Sequence, residues 1–191
     1  AGATGTLSNI ASISSAMTDP NMGNNSDTDN DTVLSSSVVT VSTHCTLLAN
    51  NDSYVRKESK NDKSGSEDHF NVEDGTYTHR SFISFDISSN CTETGQSLPS
   101  DASLENGYLR VFTDTRPSDP FDINVNRVDE TWAEGSVTWN NQPNVSTPET
   151  TSKTVEAKGN NINEWLVDND LFLFKAGVSN YGWRIALADE S

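Results

Sequence analysis

The sequence predicts an all-β fold, an antiparallel β-sandwich preceded by a strand-forming N-terminal extension. Composition points there first: only 32% of the 191 residues are hydrophobic, and Ser, Thr, Asn and Asp dominate the rest. These polar residues bond to nearby backbone and favour turns over helix interiors. Patterning agrees, because the apolar residues fall in short alternating runs, the period of a strand with one buried face. Asn, Asp, Gly and Pro then close these runs as turns. The length suits one domain with a full core plus an extension.

Residues 1–44 form the extension. Ala, Ser and Ile occupy near-alternating positions over residues 6–17, residues 19–32 are almost wholly polar, and T-V-L-S-S-S-V-V-T-V-S-T at 32–43 is β-branched and strand-prone. Asp27, Asp29 and Asp31 show the D-x-D-x-D spacing by which a tight loop turns carboxylates toward a hard cation such as calcium. Thr32 replaces the glycine of an EF-hand and Val38 its bidentate acid, so a calcium loop of another kind is weighed against a solvated acidic loop.

The sandwich domain spans residues 45–191. Residues 46–49 and 54–56 read as short strands around the turn N-N-D-S at 50–53, and 57–68 as a polar loop. Residues 79–87 alternate well, with Phe82, Ile83 and Phe85 ahead of a closing Asp86. Residues 91–105 form a long loop. In 108–112 and 121–128, Leu109, Val111, Ile123 and Val125 alternate with polar partners, and the two strands are expected to pair with each other. In 129–143, Val137 and Trp139 alternate with Ser136, Thr138 and Asn140, predicting a strand with a wet face that Asn140, Asn141 and Pro143 stop. Trp132 precedes Trp139 with Gly135 between them, which puts the two indoles on different segments. Residues 155–167 hold the one segment with helical character, N-I-N-E-W-L-V around Trp165. Residues 171–174 and 183–188 are apolar enough to be core segments.

The run W-x-E-x-x-x-T-W-N-x-x-P, filled by Trp132, Glu134, Thr138, Trp139, Asn140 and Pro143, resembles a signature of DNRLRE domains, extracellular β-sandwich modules grouped with carbohydrate-binding modules. D-S-Y-V-R at 52–56, R-S-F-I-S-F-D at 80–86 and N-Y-G-W at 180–183 fit the same family. The resemblance implies a jelly-roll-like sandwich, with a short turn leading to a strand in the region of 155–167, and brings no known catalytic group. Related modules hold polysaccharide on aromatic faces flanked by amides and acids, which makes Tyr54, Tyr77, Tyr181 and Trp183 glycan-binding candidates against a core role for each. Asp52, Asp189 and Glu190 occupy family positions near the two ends of the domain, where a structural calcium is weighed against plain turns. Family members also continue past the acidic pair into one more strand. The expectation is therefore a sandwich short of one strand at Ser191, completed by 32–42 or 6–15 of the same chain or of the next subunit.

A net charge of −16 disfavours nucleic acid or an anionic membrane as partner. No apolar run approaches the ~20 residues of a membrane span, and Ala1 reads as a mature N-terminus after signal removal. Cys45 and Cys91, the only cysteines, are expected to form one disulfide in a secreted or cell-surface protein. Asn24, Asn30, Asn51, Asn90 and Asn144 begin glycosylation sequons. His44, His69 and His79 are scattered, and neither a nucleophile elbow nor a phosphate loop occurs, so no catalysis is expected. The reading that follows is a non-catalytic subunit of a head-to-tail surface filament, with a monomeric, calcium-stabilised carbohydrate-binding module as the alternative.

Overall fold

The structure, a computed structural model, describes residues 5–12, 14, 17, 19–33, 42, 44–69, 71–73, 77–99, 101–113, 119–156 and 161–190. The chain divides into two units, Ala1–Thr43 and His44–Ser191.

In the first unit, β1 (Gly5–Ser12) pairs antiparallel with β2 (Ser26–Val33) in a two-stranded hairpin. The candidate donor 6–15 thus lies largely in β1, already paired along one edge. Most of 32–42 lies outside the described residues. The expected D-x-D-x-D loop is a strand instead: Asp27, Asp29 and Asp31 fall within β2, opposite Ala11, Asn9 and Leu7. The run Thr-x-Asn-x-Thr between the acids lets it join a ladder.

The second unit is an all-β antiparallel sandwich. Its larger sheet has the order β3-β4-β9-β6-β7, from β3 (Asn51–Arg56), β4 (His79–Ser84), β6 (Phe121–Arg127), β7 (Thr151–Val155) and β9 (Trp183–Leu187). The smaller sheet pairs β5 (Tyr108–Thr113) with β8 (Asn161–Leu166). Strands β5 and β6 therefore belong to different sheets rather than pairing with each other. Alternation fixes which face of a strand is buried, and it leaves the partner open. Inward residues Leu109 and Trp165 of the smaller sheet share one core with Ile83, Ile123, Val125, Val155, Trp183 and Ile185 of the larger.

In two further segments the structure decides what the sequence left open. Residues 161–166, helical in character by their own pattern but the approach to a strand by the family resemblance, form β8, with Asn163 and Trp165 turned inward and Ile162 and Leu166 exposed. Residues 171–174 lie in helix α1 (Asp168–Lys175), with Asp168 and Asp170 in its first turn and Lys175 in its last, the charge order that opposes the helix dipole. A short apolar run fits either period, so length and end charges decide. The turn expected at 50–53 is the start of β3 instead, with Asn51, Asp52 and Ser53 paired to Ser84, Ile83 and Phe82, and residues 46–49 carry no ladder. The Cys45–Cys91 disulfide, with Cα atoms 4.9 Å apart, brings two loops together there, and Thr46 bonds Glu93 through its N–H (2.8 Å) and its hydroxyl (2.5 Å).

The larger sheet is buried on its other face as well. Val55, Phe82, Val128 and Val137 form a second core, against which Trp132, Trp139, Val145 and Tyr181 pack. Full burial of Phe82 contributes about 1.5–3 kcal/mol. The signature run is thus the cover of this face. Within it, Val137 and Trp139 are not a strand: Trp139–Asn141 is a 3-10 turn closed by Asn141, whose Oδ1 accepts from the Thr138 N–H (2.6 Å) and hydroxyl (2.9 Å). Arg80 stacks on Trp139 at 4.5 Å, donates to Gln142 at 2.9 Å and forms an ion pair with Glu190.

Candidate functional site

Antiparallel pairing brings the start of β3, the end of β4, the start of β9 and the end of β6 to one end of the larger sheet. The register shows it: Asn51 faces Ser84, Ile83 faces Trp183, and Arg127 faces Trp183 on its other side. Loops leaving these ends enclose a cleft of about 500 Å³, lined by Asn50, Asn51, Ser84, Phe85, Asp86, Ile87, Ser88, Trp132, Asn180 and Tyr181. That volume lies within the ~300–1,000 Å³ typical of small-ligand sites.

Side-chain bonds hold the walls beyond the β3–β4 ladder, which ends at the Asn51–Ser84 pair with the Asn50 N–H bonding the Ser84 carbonyl at 3.0 Å. Ser84 Oγ donates to Asn50 Oδ1 and accepts from Asn51 Nδ2, both at 3.1 Å. Asn180 Nδ2 donates to the Phe85 carbonyl (2.8 Å), its Oδ1 accepts from the Gly182 N–H (3.1 Å), and the Trp132 indole N–H donates to the Tyr181 carbonyl (2.8 Å). Gly182 is required for this approach: its φ is +82°, and a Cβ there would lie 2.0 Å from the Ile83 carbonyl oxygen. At the rim, the Ser88 hydroxyl (2.6 Å) and N–H (2.9 Å) donate to Asp86. Led by the Ser88 hydroxyl, these bonds hold the Asp86 carboxyl below its usual range, so it is ionised at ordinary pH. The cleft thus offers aromatic edges and faces, amides, hydroxyls and one fixed carboxylate, groups that contact the C–H faces and hydroxyls of a sugar. Among the described residues that line it there is neither a nucleophile-base pair nor a pair of carboxylates.

Of the four aromatic candidates, only Tyr181 lines this cleft. Trp183 is buried at 2% exposure and donates its indole N–H to Asp170 at 2.8 Å, so it has no face to present; this corrects the expectation. Tyr54 is likewise buried, its ring 6.0 Å from His69 and 5.9 Å from His79, and is a core aromatic. Tyr77 is exposed beside His79, away from the cleft. Trp132, Asn50, Ser84, Ser88 and Asn180 join the site without having been singled out for it. Trp132, Ser84 and Asn180 had a signal, since all three stand in the quoted motifs, whereas Asn50 read only as a turn residue and Ser88 carried no signal.

The metal candidates are not gathered. Alternate residues on a strand stand about 6.5–7 Å apart, whereas a calcium ion needs its oxygens at about 2.3–2.6 Å. Asp27, Asp29 and Asp31 on β2 therefore cannot share one cation as a loop would. Glu190 is paired with Arg80, Asp189 is exposed beyond β9, and Asp52 lies on β3 near the opposite end of the sheet. No group of three or more metal-ligating side chains converges among the described residues. Asn24, Asn30, Asn90 and Asn144 are exposed, and Asn144 Nδ2 donates to Glu130 at 2.8 Å. Asn51 is half-buried in the cleft wall.

Residues 43–190, about three quarters of the chain, match the model of carbohydrate-binding module family 96. The match supports the carbohydrate-binding-module grouping of the motif resemblance and does not carry the DNRLRE name. No curated protein matches the chain.

Proposed function

We propose, from the premise that the chain belongs to carbohydrate-binding module family 96, that it is a non-catalytic extracellular module holding a polysaccharide in the cleft at the end of its larger sheet. One observation carries this reading: residues from segments far apart in the chain, Asn50 and Asn51, 84–88, Trp132, and Asn180 with Tyr181, meet at that cleft and line it with aromatics, amides, hydroxyls and a carboxylate. Residues kept together only for folding would have no reason to leave a polar hollow between them. The disulfide and the absence, among the described residues, of any helix long and apolar enough to cross a membrane suit a location outside the cell.

Affinity electrophoresis of the full chain through gels containing single polysaccharides tests it. The double variant Asn50→Ala/Tyr181→Ala, which removes an amide and an aromatic from the cleft, weakens retention at least about tenfold. Asn50→Ala alone, at an exposed position, keeps the fold and weakens it less. Retention unchanged in both, with unchanged circular dichroism, moves binding elsewhere.

A filament built by strand donation is the second reading. It draws support from the smaller sheet, where β5 and β8 each have one partner among the described residues and so offer edges. Negative-stain imaging decides: rods that vanish when residues 1–44 are deleted favour it, and particles of single-chain size discard it.

A further inference from the structure

The outward face of the smaller sheet is exposed and apolar at both ends. Alternation turns Leu109, Asn163 and Trp165 into the core, which leaves Tyr108, Arg110 and Phe112 of β5 and Ile162, Glu164 and Leu166 of β8 on the other side. Cross-strand pairing sorts the six: Tyr108 faces Leu166, Arg110 faces Glu164 and Phe112 faces Ile162. The four apolar residues are between 43% and 62% exposed, and in the middle of the face Arg110 Nε donates to Glu164 at 2.5 Å. Large apolar side chains grouped on one open face mark an interaction surface. We infer that this face seats a second copy of the chain in a two-fold dimer.

The occupant follows from the arrangement of charge. The face carries one cation and one anion side by side, with an apolar pair above and below them. A two-fold axis running along the strands lays β5 on β8 of the second copy, so that Arg110 meets Glu164, Tyr108 meets Leu166 and Phe112 meets Ile162, each twice. Sheets packed face to face with aligned strands, about 10 Å apart, bring such side chains together. An axis across the strands would lay β5 on β5 and set Arg110 against Arg110, which charge disfavours. The face is thus complementary to itself in one orientation, whereas a polycation or polyanion gains nothing from two charges that cancel. It is only two strands wide, which puts the dimer at the weak end of specific interfaces, with a dissociation constant of about 1–100 μM. Isologous contact closes at two copies, unlike strand donation. None of the six residues lines the cleft. If the cleft holds polysaccharide as proposed above, the dimer presents two such sites, and a polymer that spans both is held by avidity.

Sedimentation velocity of the full chain, from about 1 to about 200 μM and in about 0.05 M and about 0.5 M salt, tests the dimer. A monomer–dimer equilibrium is expected, tightened about threefold or more by the higher salt, because each copy carries a net charge of −16 and screening relieves their repulsion. Arg110→Glu and Glu164→Arg each set like charges against each other across the axis, and each should weaken association about tenfold or more. An equimolar mixture of the two should recover it to within about threefold of the parent, since the mixed dimer regains two opposite-charge contacts. Phe112→Thr keeps a strand-forming residue but removes the ring, and should also weaken association about tenfold. Circular dichroism unchanged in the three variants confines the comparison to folded chains. A chain that is monomeric at every concentration overturns the inference, as do dimers that none of the three variants weakens, a charge mixture no stronger than either variant alone, or species that grow past two copies. Dimers formed only when polysaccharide is added overturn it too and leave the glycan-binding reading in place.

Discussion

Asp170→Ala is the most informative single substitution for the fold, because one buried carboxylate ties three elements together. Asp170 stands in the first turn of α1 with 5% of its surface exposed. Its Oδ2 accepts from the Thr150 hydroxyl at 2.6 Å and from the Trp183 indole N–H at 2.8 Å, and Arg127 lies 3.6 Å from Oδ1. Each hydrogen bond to a charged group is worth about 1.5–3 kcal/mol. Alanine removes two of them and leaves the Trp183 N–H unpaired in the core. Arg127 recovers part of its hydration, because it is partly exposed. The expected loss is therefore near the lower sum, about 3 kcal/mol, a large share of the ~5–15 kcal/mol that holds a domain folded. Asp170→Asn keeps the shape and one acceptor oxygen, and should lose about 1–2 kcal/mol. Urea unfolding followed by tryptophan fluorescence measures both, through a midpoint shift of about 1–3 M at constant slope for the alanine variant. A loss below about 1 kcal/mol for alanine refutes the claim that this carboxylate anchors α1 to the sheet.

Gly182→Ala forces a left-handed backbone and a Cβ into the Ile83 carbonyl, so it should destabilise by more than about 3 kcal/mol, read as a lowered thermal midpoint. Replacing both Cys45 and Cys91 with serine opens a loop of 46 residues and should lower stability by about 4 kcal/mol in the chain-entropy picture, measured by urea unfolding against the oxidised parent. Glu93, held down to about 2 from an ordinary 4.5 by the Thr46 hydroxyl and N–H, has a folded pKa below its unfolded one. Its contribution is present above about pH 4.5 and is lost as pH falls toward about 2. Being exposed, it gives only a shallow slope, and Glu93→Gln should flatten the stability profile in that window. Adding EDTA should leave the thermal midpoint unchanged, since the candidate carboxylates are not gathered around a point; a midpoint lowered by chelation and restored by calcium contradicts that geometry.

Legibility differed by the range of the interaction. Strands β5 and β6 were readable because alternation is local: Leu109 is buried between exposed Tyr108 and Arg110, and Ile123 and Val125 are buried on either side of a half-buried Asn124, whereas β3 was read only over its second half. The D-x-D-x-D run misled for the same reason. Its spacing fits a strand face as well as a cation loop, and nothing local separates the two. Residues 171–174 show the limit of short windows, where Phe174 is buried and Phe172 is 70% exposed in a helix whose first turn lies upstream of the apolar run.

The sequence by itself determined that this chain is built of strands, that its two cysteines have only each other to pair with, and that its tryptophan signature belongs to a β-sandwich module. Only the tertiary structure decided that β5 leaves β6 for β8, that Trp183 is a core residue hydrogen-bonded to Asp170, and that the motifs enclose one cleft. Periodicity acts over a few residues. The contacts that shape the cleft join Asn50 to Ser84, 34 positions apart, and Trp132 to Tyr181, 49 apart, and distances of that kind are set when the sheet chooses its strand order.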